Sequence, residues 1–112
     1  MNLISRDELK AKLDRSEPIK LFMALGEFAY RAKHIPGTLD LHTIPEAIQA
    51  LKPDDEIIVY CSDKNCFASR AAYQALTRHG YTNVRRYEGG LADWEEAGLP
   101  LEGEWLEAGE EA

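Results

Sequence analysis

The sequence predicts an α/β domain with a parallel sheet, and three observations support that prediction. Short apolar segments alternate along the chain with longer segments of helical periodicity. One short segment, residues 56–60, is β-branched, aromatic and nearly continuous, which is typical of a parallel strand covered on both faces. Strands that alternate with helices favour a parallel sheet with right-handed crossovers. A chain of 112 residues is long enough to bury one core.

The chain begins with a predicted helix and a predicted strand. Ser5 and Glu8 form a capping-box pattern at the start of an amphipathic helix over residues 5–16. Residues 19–24 are short, apolar-rich and preceded by Pro18, which favours an extended segment over a helix. We interpret this segment as a buried strand.

A second strand and helix are predicted next. Residues 36–37, Pro-Gly, are a turn signal, and residues 38–41 then alternate in the manner of a strand. Pro45 suits the first turn of a helix, which Pro53 ends. The predicted order up to this point is helix, strand, strand, helix.

The second half of the chain repeats the alternation. The central strand over residues 56–60 leads into a polar loop, 61–66, and then into a helix from Phe67 to His79. Residues 83–87 are a further strand candidate, and residues 91–97 are predicted to form a short helix. We expect one domain over residues 1–103 and an acidic solvated tail over 104–112, in which Trp105 and Leu106 could dock locally.

Charge and apolar patterning limit the partners. The net charge of −7 repels phosphate backbones and anionic lipid, so nucleic acid and membrane are not expected partners. The longest apolar run, residues 57–61, is far shorter than the ~20 residues that span a bilayer. The first residues lack the apolar run of a secretory signal, so we expect a cytoplasmic protein.

Cys61 is the main candidate for chemistry, because ligands of open α/β sheets bind beyond the carboxyl ends of the strands. A helix N-terminus close to the thiol favours thiolate and can lower the pKa of a cysteine from ~8.5 into a range of about 3.5–7.5. The loop amides from Ser62 to Phe67 could form an anion-binding concavity around the sulfur. From local features alone, a buried, inert Cys61 that ends a strand is equally compatible with the sequence.

A series of short motifs weighs against the inert alternative. The motifs are His-Ile-Pro-Gly at 34–37, Val-Tyr-Cys at 59–61, Gly-Tyr at 80–81, Asn-Val at 83–84, Glu-Gly-Gly at 88–90, Trp94 and Gly-Leu-Pro at 98–100. Together they resemble the rhodanese (sulfurtransferase) family in order and in approximate spacing, from Ile4 to about Gly103.

The resemblance implies a three-layer α/β/α domain with a parallel sheet of about five strands, and it places the catalytic cysteine at Cys61. In that family the thiolate attacks the sulfane sulfur of a donor such as thiosulfate or a thiol persulfide. It then passes the sulfur from a persulfide to a nucleophilic acceptor such as cyanide, a small thiol or a protein thiol. The resemblance implies no metal and no organic cofactor.

Two departures from the family pattern bear on activity. Residues 23–25, Met-Ala-Leu, stand where typical members carry Asp-x-Arg after the first strand. In the loop, Cys66 takes the place of the usual arginine, and the loop is about two residues longer than the common form. Three roles are open for Cys66: it resolves a persulfide by forming a disulfide with Cys61, it is itself the nucleophile, or it only packs. Arg70 is a candidate to pair with an anionic donor, or it is an exposed arginine without such a role.

The remaining candidates are predicted to be structural. His34 is expected to form hydrogen bonds beside a turn, and His42 and His79 are expected at the surface. Trp94 and Tyr87 are interpreted as core residues. The leading hypothesis is a small sulfurtransferase that carries sulfur on Cys61, with Ser62, Asp63, Lys64, Asn65, Phe67 and Arg70 around the substrate. A thiol redox protein that cycles a Cys61–Cys66 disulfide and a non-catalytic binding module are the alternatives.

Overall fold

The computed structural model describes residues 1–104 of the chain. The predicted tail over 104–112, with Trp105 and Leu106, lies outside the described residues except for Glu104. In chain order the elements are α1 (Arg6–Asp14), β1 (Lys20–Met23), α2 (Glu27–Ala32), α3 (Ile44–Ala50), β2 (Ile57–Tyr60), α4 (Ala68–Arg78), β3 (Val84–Arg86) and α5 (Gly90–Glu96).

The sheet is parallel throughout, with the strand order β1-β2-β3 and β2 in the centre, as predicted. Val59 of β2 is in register with Phe22 on one side and with Arg86 on the other. A single parallel bridge extends each edge: Leu3 pairs with Arg86, and Leu21 pairs with Thr38. The expected sheet of about five strands therefore consists of three regular strands and one bridge at either edge.

Two sequence predictions in the first half were wrong. The strand predicted over residues 38–41 is limited to the single bridge at Thr38. The Thr38 hydroxyl donates to the carbonyl oxygen of Ile35, within the turn that precedes it. Helix α2 was not predicted at all. It has six residues, and its N-cap, Gly26, offers no side chain to cap it, so the usual start signal is absent.

Side-chain caps support the predicted starts of α1 and α3. Ser5 Oγ accepts from the backbone N–H of Glu8 at 3.1 Å at the start of α1. The carboxylate of Glu8 binds Arg85 instead of returning to the Ser5 backbone, so only half of the capping box forms. At α3, Thr43 Oγ1 accepts from the N–H of Glu46 at 3.2 Å, and a proline occupies the first turn.

The four side chains of β2 are all buried, and they alternate between two cores. Ile58 and Tyr60 contribute to one core, together with Trp94 and Tyr87, which confirms the prediction that these two aromatic residues are core. Ile57 and Val59 contribute to the core on the opposite face, together with residues of α3 and α4. Within residues 1–104, no helix is long and apolar enough to span a bilayer.

Candidate functional site

Cys61 follows directly after β2, at the carboxyl end of the central strand, and is 1% exposed. The chain then forms a loop and enters α4 at Ala68. The N-cap, Phe67, provides no side-chain hydrogen bond to the helix, so the first N–H groups of α4 lack a side-chain cap. The structure therefore places Cys61 where the sequence predicted it, at the carboxyl edge of the sheet before a helix N-terminus.

Cys61 and Cys66 form a disulfide, and their Cα atoms lie 6.4 Å apart, within the usual range for such a bond. Because α4 begins at Ala68, the bond requires no unwinding of the helix. In this disulfide form Cys61 is buried, whereas Cys66 is only partly buried. Access to the bonded pair is therefore through Cys66.

The loop amides divide into two groups. The N–H of Asn65 donates to Asp63 Oδ1 at 2.9 Å, and the N–H of Cys66 donates to the Asp63 carbonyl oxygen at 3.2 Å. These two amides close the loop on itself, so Asn65 does not offer its N–H to an anion in this form. The amides that have no protein partner within the described residues are those of Ser62, Asp63, Lys64 and Phe67.

Helix α5 fixes the start of the loop from the other side. The N–H of Leu91 donates to the carbonyl oxygen of Cys61 at 2.9 Å, and the N–H of Ala92 donates to that of Ser62 at 2.8 Å. The Gly-Gly pair at 89–90, part of the Glu-Gly-Gly motif, thus begins a helix that holds the cysteine backbone.

The sequence predictions missed two residues of the site: Ser69, which contacts Cys61, and Arg86, which binds Ser69. Ser69, in the first turn of α4, has its Oγ 3.5 Å from Cys61 Sγ. Arg86 of β3 donates from Nε to the same Ser69 Oγ at 2.8 Å, and both residues are 1% exposed. The available signal was the alternation along β3, which turns Arg85 and Arg86 to opposite faces.

Neither Arg70 nor the end of β1 provides a charged group that contacts Cys61. Arg70 is exposed and forms no hydrogen bond or ion pair with any described residue. Met23 is buried in the core, so no charge stands where the family carries Asp-x-Arg. Phe67 is 76% exposed beside the disulfide, so its predicted contribution is limited to its backbone.

The histidines do not meet the cysteines in a metal site. His34 Nδ1 lies 2.6 Å from the carbonyl oxygen of Tyr30, which confirms its structural role, and His79 is exposed as predicted. The prediction that His42 is a surface residue was wrong, because its ring packs against Tyr30 with a side chain only 15% exposed. Residues 1–104 contain no group of three or more His, Cys, Asp or Glu side chains placed to hold a metal ion.

The chain is similar in sequence to known proteins. The family model of the rhodanese-like domain matches residues 5–97. The chain is 36% identical over 67 residues to the thiosulfate sulfurtransferase GlpE of Pseudomonas fluorescens, covering 58% of this chain and 60% of that protein. It is 28% identical over 101 residues to the HTH-type transcriptional regulator Rv0324 of Mycobacterium tuberculosis, covering 88% of this chain and 44% of the regulator. The chain thus spans about half the length of these relatives.

Solved structures are similar over almost the whole chain. The rhodanese-like domain of the Anabaena protein Alr3790 superposes with a TM-score of 0.81 at 26% identity, covering 95% of this chain and 82% of that domain. A Bacillus halodurans protein superposes with a TM-score of 0.85 at 20% identity, covering 93% of this chain and 78% of the other. The second similarity concerns the fold alone.

Proposed function

The chain belongs to the rhodanese-like domain family, and on that basis we propose that it is a sulfurtransferase that carries sulfane sulfur as a persulfide on Cys61. The observation that carries the proposal is the position of this cysteine, which ends the central strand directly before the N-terminus of α4. The identity to thiosulfate sulfurtransferases over part of the chain supports the same reaction class.

The first half-reaction begins from the reduced protein. The thiolate of Cys61 attacks the sulfane sulfur of the donor, and a sulfur–sulfur bond forms. With thiosulfate, the bond between the two donor sulfurs breaks, and sulfite leaves with the electron pair. The outer sulfur of the resulting persulfide carries the negative charge, and the unpaired amides of Ser62, Asp63, Lys64 and Phe67 are the groups that stabilise it.

The second half-reaction returns the thiolate. A nucleophilic acceptor, either cyanide or a small or protein thiolate, attacks the outer sulfur, and Cys61 leaves as the thiolate. Thiocyanate or a new persulfide is released, with no net oxidation or reduction of the protein. The donor and acceptor are proposed at the level of class: a small sulfur-containing anion or thiol persulfide, and a thiol or cyanide.

Intact-mass measurement of the reduced protein after incubation with thiosulfate tests this proposal. We expect a gain of one sulfur atom, lost again on addition of cyanide, in the parent and in Cys66→Ser. Cys61→Ser should gain none. An unchanged mass in all three proteins would contradict the proposal and favour a non-catalytic binding module. Labelling of Cys61→Ser but not of Cys66→Ser would reverse the roles of the two cysteines.

The disulfide favours a second candidate, a thiol redox function that uses the same pair. Attack of the Cys66 thiolate on the inner sulfur of a Cys61 persulfide would form the disulfide and release hydrosulfide, and an external thiol would then reduce the disulfide. A loss of two hydrogens instead of a gain of sulfur after thiosulfate treatment, absent in Cys66→Ser, would identify this route.

A further inference from the structure

Arg86 is a charged side chain in an apolar core. It is 1% exposed, whereas its neighbour Arg85 lies on the opposite face of the sheet, is 24% exposed and pairs with Glu8. Moving a guanidinium out of water is unfavourable unless an anion or good hydrogen bonds replace the lost hydration. The packing of the fold by itself gives no reason for a positive charge at this position.

The protein partners of Arg86 do not neutralise it. A guanidinium has five N–H donors, and within the described residues only one bond is short, from Nε to Ser69 Oγ at 2.8 Å. Nη1 lies 3.4 Å from the carboxylate of Glu88, whose side chain is 48% exposed, and Nη2 lies 3.4 Å from the carbonyl oxygen of Lys64. The distance to Glu88 is long and the Glu88 carboxylate is exposed to water, which weakens the pair. Much of the positive charge of Arg86 therefore remains available to a closer anion.

Ser69 connects that charge to the cysteine. A hydroxyl carries one proton and two lone pairs, and one lone pair of Ser69 Oγ accepts from Arg86. Because a disulfide sulfur has no proton, the contact of 3.5 Å between Ser69 Oγ and Cys61 Sγ can only be donated by the hydroxyl. A hydrogen-bonded sequence therefore runs from the guanidinium through the hydroxyl to the sulfur, and its direction suits a negatively charged sulfur.

We infer that Arg86 is a positioning residue that acts through Ser69 to stabilise the thiolate of Cys61. It thereby supplies, from β3, a buried positive charge where the loop has Cys66 in place of the usual arginine. The thiolate is both the nucleophile and the leaving group of the proposed transfer, so the inference deepens the proposed function and rests on it for its catalytic meaning. The stabilisation of the thiolate itself requires no sulfur donor.

The remaining charged groups at this edge are few. Asp63 and Lys64 belong to the loop, Glu88 follows β3, and Arg70 lies on α4 without a protein partner among the described residues. Asp63 is held by the N–H of Asn65. Arg86 is the only one of these groups that is fully buried, and the low local dielectric strengthens its effect on the sulfur.

The test is the pH dependence of iodoacetamide alkylation of Cys61, measured in full-length protein with Cys66→Ala as the parent. We expect the midpoint to rise by about one pH unit in Arg86→Met and in Ser69→Ala, which lowers the thiolate population about tenfold below the midpoint. Arg85→Met is the matched control, because it removes the neighbouring charge from the opposite face, and its midpoint should equal that of the parent. Arg86→Lys, which keeps the charge, should have a midpoint close to that of the parent.

Circular dichroism and urea unfolding separate this role from a structural one. A purely structural Arg86 would lower stability without moving the midpoint. If Arg86→Met does not fold, Ser69→Ala and Arg86→Lys decide the outcome. A parent-like midpoint in Ser69→Ala, or in folded Arg86→Met, overturns the inference. Alkylation is independent of sulfur transfer, so failure of the proposed function would appear in the persulfide mass and not in this titration.

Discussion

Gly90 lies directly against the backbone of Cys61: a Cβ atom at position 90 would stand 2.4 Å from the Cys61 carbonyl oxygen and 2.9 Å from the carbonyl carbon of Ser62. Its φ of +64° is also one that L side chains rarely adopt. The close approach lets the N–H of Leu91 reach the Cys61 carbonyl oxygen. The glycine is therefore a condition for the position of the cysteine.

Gly90→Ala should consequently displace the loop. We expect lower stability and a loss of persulfide formation that exceeds the loss of stability, because the backbone of Cys61 and Ser62 has no room to yield. Gly98→Ala is the control, since Gly98 has φ +75° but a Cβ atom there would meet nothing within 4 Å, and it should lose only about 1 kcal/mol. Urea unfolding and the thiosulfate mass shift measure both effects. Equal behaviour of the two variants would contradict the proposed support.

Substitution of Glu88 tests whether positive charge near Cys61 favours its thiolate. Its carboxylate lies 3.4 Å from Arg86 Nη1 and offsets part of the positive charge that we assign to the thiolate. Glu88→Gln should therefore make Cys61 alkylate at lower pH than the parent, opposite to the change expected for Arg86→Met. Glu95→Gln, which removes an exposed carboxylate paired with Lys33, is the control. A shift to higher pH in Glu88→Gln would show that the Glu88 carboxylate does not act by offsetting the charge of Arg86.

The disulfide should open at Cys66. An external thiolate attacks the accessible sulfur, and Cys66 is partly exposed whereas Cys61 is 1% exposed and has the stabilised leaving thiolate. Brief treatment of the oxidised protein with glutathione, an acid quench and alkylation should therefore give the mixed disulfide on Cys66 and the alkyl group on Cys61. Peptide mapping that finds glutathione on Cys61 would contradict this order.

Arg70 is tested by steady-state kinetics. It is the third residue of α4, exposed and without a protein partner within residues 1–104, so a dianionic donor at the helix start could recruit it. Arg70→Ala should raise the KM for thiosulfate several-fold with little change in stability. Arg78→Ala, at the opposite end of the same helix, should leave the KM unchanged. An unaltered KM in Arg70→Ala would show that this side chain does not hold the donor.

Tyr60 holds the end of β2 through its hydroxyl, which accepts from the N–H of Ile35 at 3.0 Å and contacts Thr38 Oγ1 at 2.8 Å. Tyr60→Phe leaves the buried N–H of Ile35 unpaired and removes one of the two partners of Thr38 Oγ1, and it should lower the free energy of unfolding by about 1–3 kcal/mol at neutral pH. Tyr73→Phe, which removes an exposed acceptor for the N–H of Asn2, should cost less.

The pH dependence of the same variant has a defined sign. Burial raises the pKa of Tyr60 from 10.0 to about 12. The stability associated with the neutral hydroxyl is therefore complete below pH 10 and is lost as the pH rises towards 12. The difference in unfolding free energy between parent and Tyr60→Phe should narrow across that interval in urea titrations. A constant difference would show that Tyr60 ionises equally in the folded and unfolded states.

The local elements were largely determined by the sequence. The β-branched run over 57–60 makes a buried central strand, Ser5 and Thr43 cap their helices, and Cys61 must then fall at the carboxyl end of that strand. These features follow from periodicity and from side chains that bond their own neighbouring backbone. Helix α2 was missed because its six residues are too few to show a helical periodicity and it has no side-chain cap.

The environment of the cysteine was decided only by the tertiary structure. Arg85 and Arg86 are indistinguishable as adjacent basic residues, yet alternation along a strand turns Arg85 towards Glu8 of α1 and Arg86 towards Ser69 of α4. Which of the two faces the core depends on the register of β3 against β2 and on α4, which brings Ser69 to the sulfur and to an arginine seventeen residues away. Such contacts between separate elements leave no local pattern, because they arise only when the sheet and the helix pack together.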